Sequence, residues 1–278
     1  MTDDPPAHPV TAAGRPEADP AAWWSTVDPA RAPADAPAAF CPDLDPRTLL
    51  AAYAHGLFPL PAADLYGELL NETRYEPLVA AGAIALHGPG PTSPYTVAWW
   101  SPDPRPVIPT ATGVPLSRRL RRRLRNSGWT TTADHAFPEV VAACAADRRP
   151  RWLTDDLQAS LRELHTAGHA HSVEVRDREG ELIAGAFGIR VGAVLSLDSM
   201  FHRRPDAARV ALADLATRFA AAGGHHLDAQ WDSPHIRTLG AAPVPRADYL
   251  ALLRTPHTAG PPDPAPRPAA RLAPPEQH

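Results

Sequence analysis

The chain has 278 residues, a formal net charge of −4 and 44% hydrophobic residues. That suffices for one large domain or two small ones, and the net charge alone carries no basic excess of the kind a nucleic-acid binder shows. Its two cysteines, Cys41 and Cys144, make neither a CxxC pair nor a disulfide framework, so a reduced, cytoplasmic setting is expected; no apolar run reaches the roughly 20 residues that cross a bilayer, and the acidic, Pro-rich start is not a signal peptide.

Residues 1–37 are rich in Ala, Pro and Asp. Such a stretch buries too little apolar surface of its own to offset chain entropy. A disordered tail is expected there, with local docking left open for Trp23 and Trp24, and a second one over 255–278. Residues 45–55 predict a helix, with Asp45 as N-cap, Pro46 in the first turn and Gly56 past the end. Residues 61–96 mix Gly and Pro with short apolar runs and read as an insert. A helix is predicted over 116–126, where Leu116, Leu120 and Leu124 recur every fourth position, and two more over 137–145 and 154–166, the latter capped by Thr154. After Gly168 the pattern changes. Strands are predicted over 171–175, 182–189 and 191–197, a helix over 205–222, a strand over 227–231, and short helices near 233–239 and 246–253. Helices followed by a strand meander crossed by one long helix imply an α+β fold.

Several segments carry a resemblance. Trp99-Trp100-Ser101-Pro102-Asp103-Pro104-Arg105 is an unusual heptapeptide. In the same order along the chain come Tyr53 with Gly56, Phe58 and Pro59; Ala136-Phe137; Cys144-Ala145; and Trp152. They are followed by Gly168-His169-Ala170-His171-Ser172 with Glu174-Val175, then Ser199-Met200-Phe201 and Asp228 with Gln230. Leu239-Gly240-Ala241, Pro245-Arg246 and Asp248-Tyr249-Leu250 close the series. Together they resemble the leucyl/phenylalanyl-tRNA–protein transferases, over about residues 40–60 and 97–254. The resemblance implies a GNAT-like C-terminal domain with a mixed sheet over 111–254. It also implies a smaller N-terminal domain over 38–110 that carries the insert at 61–96. No cofactor is implied. GNAT enzymes hold the CoA pyrophosphate on a glycine-containing loop that enters a helix; residues 200–206 here contain no glycine, which argues against CoA and for another acyl donor.

The candidate site residues follow from residue chemistry and from this resemblance. Asp228 and Gln230 sit two apart on a predicted strand and so share a face. The resemblance makes them the catalytic pair, against the alternative of a structural hydrogen-bond pair. Gln230 would accept a hydrogen from the attacking amine, with Asp228 orienting the amide. Asp198 stands where the family carries glutamate; it reads either as an anchor for a cationic group or as an exposed strand-end aspartate. Ala186, Met200, Leu212, Leu215, Phe219 and Leu227 match the aminoacyl pocket, and each taken singly also reads as core. Tyr53 and Trp152 are candidates to stack on the terminal adenosine of tRNA, or are core aromatics. Where the family reads Phe-Pro-Trp this chain has Phe58-Pro59-Leu60, one aromatic fewer.

Arg118, Arg119, Arg121, Arg122, Arg123 and Arg125 crowd one helix with no acid among them. They read as a phosphate-binding strip, the alternative being a solvated face. Arg105 extends the strip in the same reading, whereas Arg148, Arg149 and Arg151 read as surface charges. His169, His171, His225 and His226 lack carboxylate or cysteine at supporting spacing and read as structural, so no metal is expected.

The expected partners are therefore an aminoacyl-tRNA donor and proteins with a basic N-terminal residue. The resemblance implies transfer of Leu, Phe or Met onto N-terminal Arg or Lys, which marks those proteins for degradation. Two other readings stand beside it: a diverged transferase with the same donor and another acceptor, and a tRNA-binding relative without catalysis. Retention of Asp228 and Gln230 argues against the last.

Overall fold

The structure is a computed structural model that describes residues 20–88, 92–146 and 150–274. In chain order its elements are α1 (Pro20–Trp24), β1 (Ala39–Phe40), α2 (Pro46–Ala54), β2 (Phe58–Pro61), α3 (Leu65–Ala80), β3 (Ala85–Leu86), β4 (Val97–Trp100) and β5 (Arg105–Pro109). Then come α4 (Arg118–Ser127), β6 (Thr130–Ala133), α5 (Phe137–Ala145), α6 (Asp155–Thr166), β7 (Ala170–Arg176), β8 (Leu182–Val191) and β9 (Val194–His202). The chain continues through α7 (Ala207–Ala221), β10 (His226–Asp228), α8 (Pro234–Thr238), β11 (Ala242–Val244), α9 (Arg246–Leu253) and β12 (Arg267–Pro268).

The helices whose caps were legible form where expected. Asp45 Oδ1 accepts the Arg47 N–H ahead of α2, Ser117 Oγ accepts from Leu120 N ahead of α4, and Thr154 Oγ1 accepts from Leu157 N ahead of α6. Gly56 follows α2 with φ +82° and Gly128 follows α4 with φ +66°, the left-handed conformation that ends helices.

Two mixed sheets result. The smaller runs β2-β4-β1-β3 and the larger β11-β5-β10-β9-β8-β7-β6-β12. β5, counted with the N-terminal domain from sequence, pairs in the larger sheet between β11 and β10. The large sheet is covered on both faces. On one face Phe187 and Ile189 of β8 pack with α2, α5, α6 and the small sheet; on the other, Ile183 and Ala186 pack under α7 and α4. The fold is thus α+β.

Both stretches expected as disordered tails are packed over their described parts. Trp24 is fully buried and sits edge-on to Trp99, with ring centroids 4.8 Å apart. At the other end β12 pairs with β6, and Ala259, Ala269 and Ala273 are buried. Buried Arg218 of α7 donates to the carbonyls of Asp263, Ala265 and Thr131. The composition argument counts only the apolar surface a segment brings itself; here small residues cover surface that the rest of the chain provides. Residues 1–19 and 275–278, and with 147–149 the arginines Arg148 and Arg149, lie outside the described residues.

A candidate active site where two parallel strands part

β10 runs parallel to β9 in the pairs His226↔Val194, Leu227↔Leu195 and Asp228↔Ser196. There β10 ends, while β9 continues to His202 along β8. The ladder between β8 and β9 skips a residue at this point: Phe187 pairs with Ser199 and Gly188 with Leu197, so Asp198 is the unpaired residue of a bulge. A bulge re-aims its side chain. Gly188 makes it fit, since a Cβ there would lie 2.1 Å from the Ser196 carbonyl oxygen. The sequence therefore builds an opening between two strands and turns a carboxylate into it.

Asp228, fully buried, anchors the opening. Arg105 of β5, also fully buried, grips it with two bonds, Nε to Oδ1 and Nη2 to Oδ2, each 2.7 Å. Ser196 Oγ (2.7 Å) and Tyr249 Oη (3.0 Å) donate to Oδ2, and the Gln230 backbone N–H donates to Oδ1 (2.9 Å). The guanidinium also lies between the rings of Phe58 and Tyr249, 4.8 and 4.4 Å from their centroids. Burial opposes charge on Asp228, but the Arg105 guanidinium and these donors override it and hold the carboxyl below the usual carboxylate range. Asp228 is thus a saturated anion with no lone pair left for a substrate proton. Arg105 is a structural partner, not an extension of a phosphate strip.

The predicted strand over 227–231 ends early, and the reason is local. The Gln230 N–H bond to Asp228 Oδ1 forms a side-chain-closed turn, and Gln230 takes φ +61°. Left-handed backbone at a large non-glycine residue persists where surrounding bonds hold it, commonly at functional sites. The turn brings the Gln230 amide over the opening. Its Nε2 donates to Asp198 Oδ1 (2.8 Å) and Ser196 Oγ (3.3 Å). With both hydrogens engaged, Oε1 faces the other way.

Asp198 is half-buried, yet its Oδ2 is out of solvent and has no hydrogen-bond partner among the described residues. Its Oδ1 accepts from Tyr53 Oη (2.6 Å) as well as from Gln230. Burial pushes the Asp198 carboxyl up to about 7, against the two donors that lower it. This is the chemistry of a proton acceptor poised near neutral pH. Tyr53 is itself buried, 4% exposed, and its hydroxyl is held by Asp198. It therefore supports the carboxylate and presents no ring face for a base to stack on, contrary to the stacking role considered above. Tyr53→Phe removes one donor and is expected to move the Asp198 midpoint above about 7, as followed by carboxyl 13C NMR; an unchanged midpoint would contradict the assignment.

Beside Asp198 and Gln230 lies a cavity of about 210 Å³, whose apolar lining includes Leu197, Met200, Leu212, Trp231 and Ile236. That is below the roughly 300–1,000 Å³ of drug-sized ligand sites and suits one apolar side chain. Of the six residues matched to an aminoacyl pocket, Met200 and Leu212 line it. Ala186, Leu215, Phe219 and Leu227 do not: all four are fully buried in the core that α7 makes with the sheet. Trp231 and Ile236, which sequence reasoning did not single out, take their place. An aliphatic residue in a core strand and one lining a cavity look alike in sequence; only the strand end at Asp228 separates them.

Arg118, Arg119, Arg121, Arg122 and Arg125 are exposed on α4 above its buried leucines, and none forms an ion pair among the described residues. Arg123 differs. It donates to the Pro205 carbonyl, pairs with Asp206 at 3.4 Å and lies over Trp129, so it ties α4 to the loop between β9 and α7. Trp152 is half-buried and lines a second cleft with Trp100 and Leu60. His171 is held between Asp134, whose Oδ2 is 2.8 Å from Nδ1, and Arg190.

A family model described as leucyl/phenylalanyl-tRNA protein transferase matches residues 107–254. The chain is 41% identical over 212 residues to the leucyl/phenylalanyl-tRNA–protein transferase of Xanthomonas euvesicatoria pv. vesicatoria, covering 75% of this chain and 72% of that one. It is 40% identical over 215 residues to that of a Shewanella species (76% and 77% covered), and 37% identical over 226 residues to that of Thiobacillus denitrificans (79% and 85% covered). A solved structure, L-PGS from Bacillus licheniformis, overlaps 45% of the chain and 43% of its own length at 12% identity and a TM-score of 0.33.

Proposed function

The chain belongs to the leucyl/phenylalanyl-tRNA–protein transferase family, and on that premise we propose that it moves an apolar aminoacyl group from charged tRNA to the α-amine of a protein N-terminus. The donors are Leu, Phe or Met, the acceptors begin with Arg or Lys, and the product is marked for degradation in the cytoplasm. One observation carries the reading: a buried carboxylate oxygen on Asp198, without a hydrogen-bond partner among the described residues, and a fixed Gln230 amide stand together beside a cavity of about 210 Å³ that suits one apolar side chain. The helix-covered mixed sheet, opening where β9 and β10 part, supports a GNAT-like relationship for the larger unit.

The chemistry asks little of the protein beyond placement. The ester of aminoacyl-tRNA is already activated, and a protein α-amine with a pKa of about 7.7–8.0 is at least half neutral near pH 8. The amine nitrogen attacks the ester carbonyl. As the N–C bond forms, Gln230 Oε1 accepts a hydrogen bond from that nitrogen, and Asp198 Oδ2 takes its proton. Collapse breaks the bond to the ribose oxygen, which receives the proton. Asp228 touches no substrate; it positions Gln230 through the backbone bond and through Ser196. Holding both substrates in register supplies most of the acceleration.

The exposed arginines of α4 are proposed to contact phosphates of the tRNA. Removing Arg118 and Arg122 together as glutamines is expected to lower the slope of log affinity against log salt by about 0.7–0.9 per lost contact, measured by filter binding across a salt series. Arg123→Gln is expected to leave the slope nearly unchanged, since that side chain is engaged within the fold. Equal slopes in all three proteins would remove α4 from the tRNA surface.

The reading is tested by incubating the protein with radiolabelled Leu-, Phe- and Met-tRNA and a protein that begins with Arg. Label is expected at that N-terminus. If tRNA binds and no label reaches any basic N-terminus, the acceptor is different or catalysis is lost.

A further inference from the structure

The insert at 61–96 is built around one helix. Its helix α3 is held to the body by Tyr75, whose ring lies 5.8 Å from Phe40 and 6.3 Å from Trp100. Within the insert, Asn71 donates to the Tyr95 carbonyl (3.0 Å). Yet Leu65, Tyr66, Leu69 and Leu70 remain 50–77% exposed, which is costly for a helix that serves only as a spacer. Helical spacing sorts its side chains. Tyr66, Leu70 and Arg74, four apart, line a cleft of about 650 Å³ together with Leu60, Trp100 and Trp152. Glu68, Glu72 and Glu76, also four apart, fall on another stripe and do not line it. The cleft adjoins the site: the Trp100 ring is 5.0 Å from Trp231, which lines the cavity beside Gln230.

We infer that α3 is one jaw of a clamp on the 3′-terminal nucleotides of the donor tRNA, with Tyr66 stacking on a base and Arg74 meeting a phosphate. The inference rests on the proposed donor. The cleft's own chemistry selects a nucleotide. Aromatic planes come from α3 (Tyr66) and from outside it (Trp100, Trp152), and any base offers a face to them. Arg74 forms no ion pair among the described residues; its guanidinium lies over the neighbouring Tyr75 ring, 5.2 Å from the centroid, and its charge is free for an anion. A basic peptide would need carboxylates instead. Among the described residues Asp64 is the one carboxylate that lines the cleft, and its Oδ1 already accepts the Gly67 N–H at the start of α3. The volume lies within the roughly 300–1,000 Å³ that hold a nucleoside-sized ligand.

Tyr66 is 68% exposed, so its truncation leaves the fold standing. Tyr66→Ala is expected to raise the KM for Phe-tRNA about tenfold with a much smaller change in kcat, and Tyr66→Phe, which keeps the ring, to restore it. A second measurement does not depend on transfer: binding of uncharged tRNA ending in CCA against the same tRNA lacking the terminal adenosine. The full chain is expected to prefer the complete end, and Tyr66→Ala and Arg74→Ala to lose most of that preference. Unchanged KM and unchanged end preference in Tyr66→Ala would overturn the clamp. So would a rise in KM confined to the acceptor, which would make the cleft a peptide site. If the wild-type protein transfers nothing yet shows the end preference, the reaction reading fails and the clamp stands.

Discussion

Arg105→Met is expected to cost about 3–5 kcal/mol of stability, because it leaves the Asp228 carboxylate buried without a counter-charge. Both side chains are fully out of solvent and joined by two bonds of 2.7 Å. For a chain of this size the loss corresponds to a fall in Tm of roughly 10 °C. The pH dependence gives a second readout. In the wild type the Asp228 pKa is held down in the folded state, so its contribution is present above the unfolded value and lost as pH falls through the folded one. Without Arg105 the same carboxyl is raised by burial, and acid relieves the penalty. The deficit of Arg105→Met should therefore narrow as pH is lowered from 8 towards 5. A deficit below about 1 kcal/mol at pH 8, or one that widens in acid, would show that the pair does not anchor the site. Transfer should fall as well, since Gln230 is held through Asp228 at its backbone.

Asp198→Asn is expected to lower kcat/KM for the acceptor by about 10²–10⁴, the usual range for removal of a positioned proton acceptor. The Asp198 carboxyl sits near 7, so its acceptor form builds up as pH rises through that value; the attacking α-amine loses its own proton near 7.7–8.0. With limiting acceptor, log kcat/KM of the wild type should climb with a slope of about two below neutrality, one step from each group. The asparagine variant should climb with a slope of about one. Identical profiles would show that the carboxylate takes no part in proton movement. A loss confined to KM, with kcat kept, would make Asp198 an anchor for the acceptor's cation.

How far the sequence foretold this molecule varies with the range of the interactions. α2, α4 and α6 were legible because caps and leucine spacing act within one turn. Asp198, Gln230, Met200 and Leu212 were expected at the site, and the structure brings them together. The Arg105–Asp228 pair is not legible in sequence, since 123 residues separate its members and Arg105 reads there as an extension of the phosphate strip. Nor was the bulge at Asp198, which depends on how β8 and β9 register and which shows in sequence only as one glycine, Gly188. The left-handed turn at Gln230 looked like continued strand because alternation alone cannot locate a strand's end. Ala259, Ala269 and Ala273 read as tail because their burial depends on surface from α7 and β6. The insert's helix was hidden by the Gly and Pro around it, although Asp64 caps it at Gly67 N.

The most direct measurement is single-turnover transfer from Phe-tRNA to an Arg-initiated peptide at saturating concentrations of both, in the wild type and in Gln230→Ala, with tRNA affinity measured alongside. The account predicts phenylalanine on the peptide α-amine, none on the N-acetylated peptide, and a rate about 10²-fold or more lower in Gln230→Ala with tRNA affinity kept. Equal rates in the two proteins would contradict it, and so would phenylalanine appearing on the acetylated peptide.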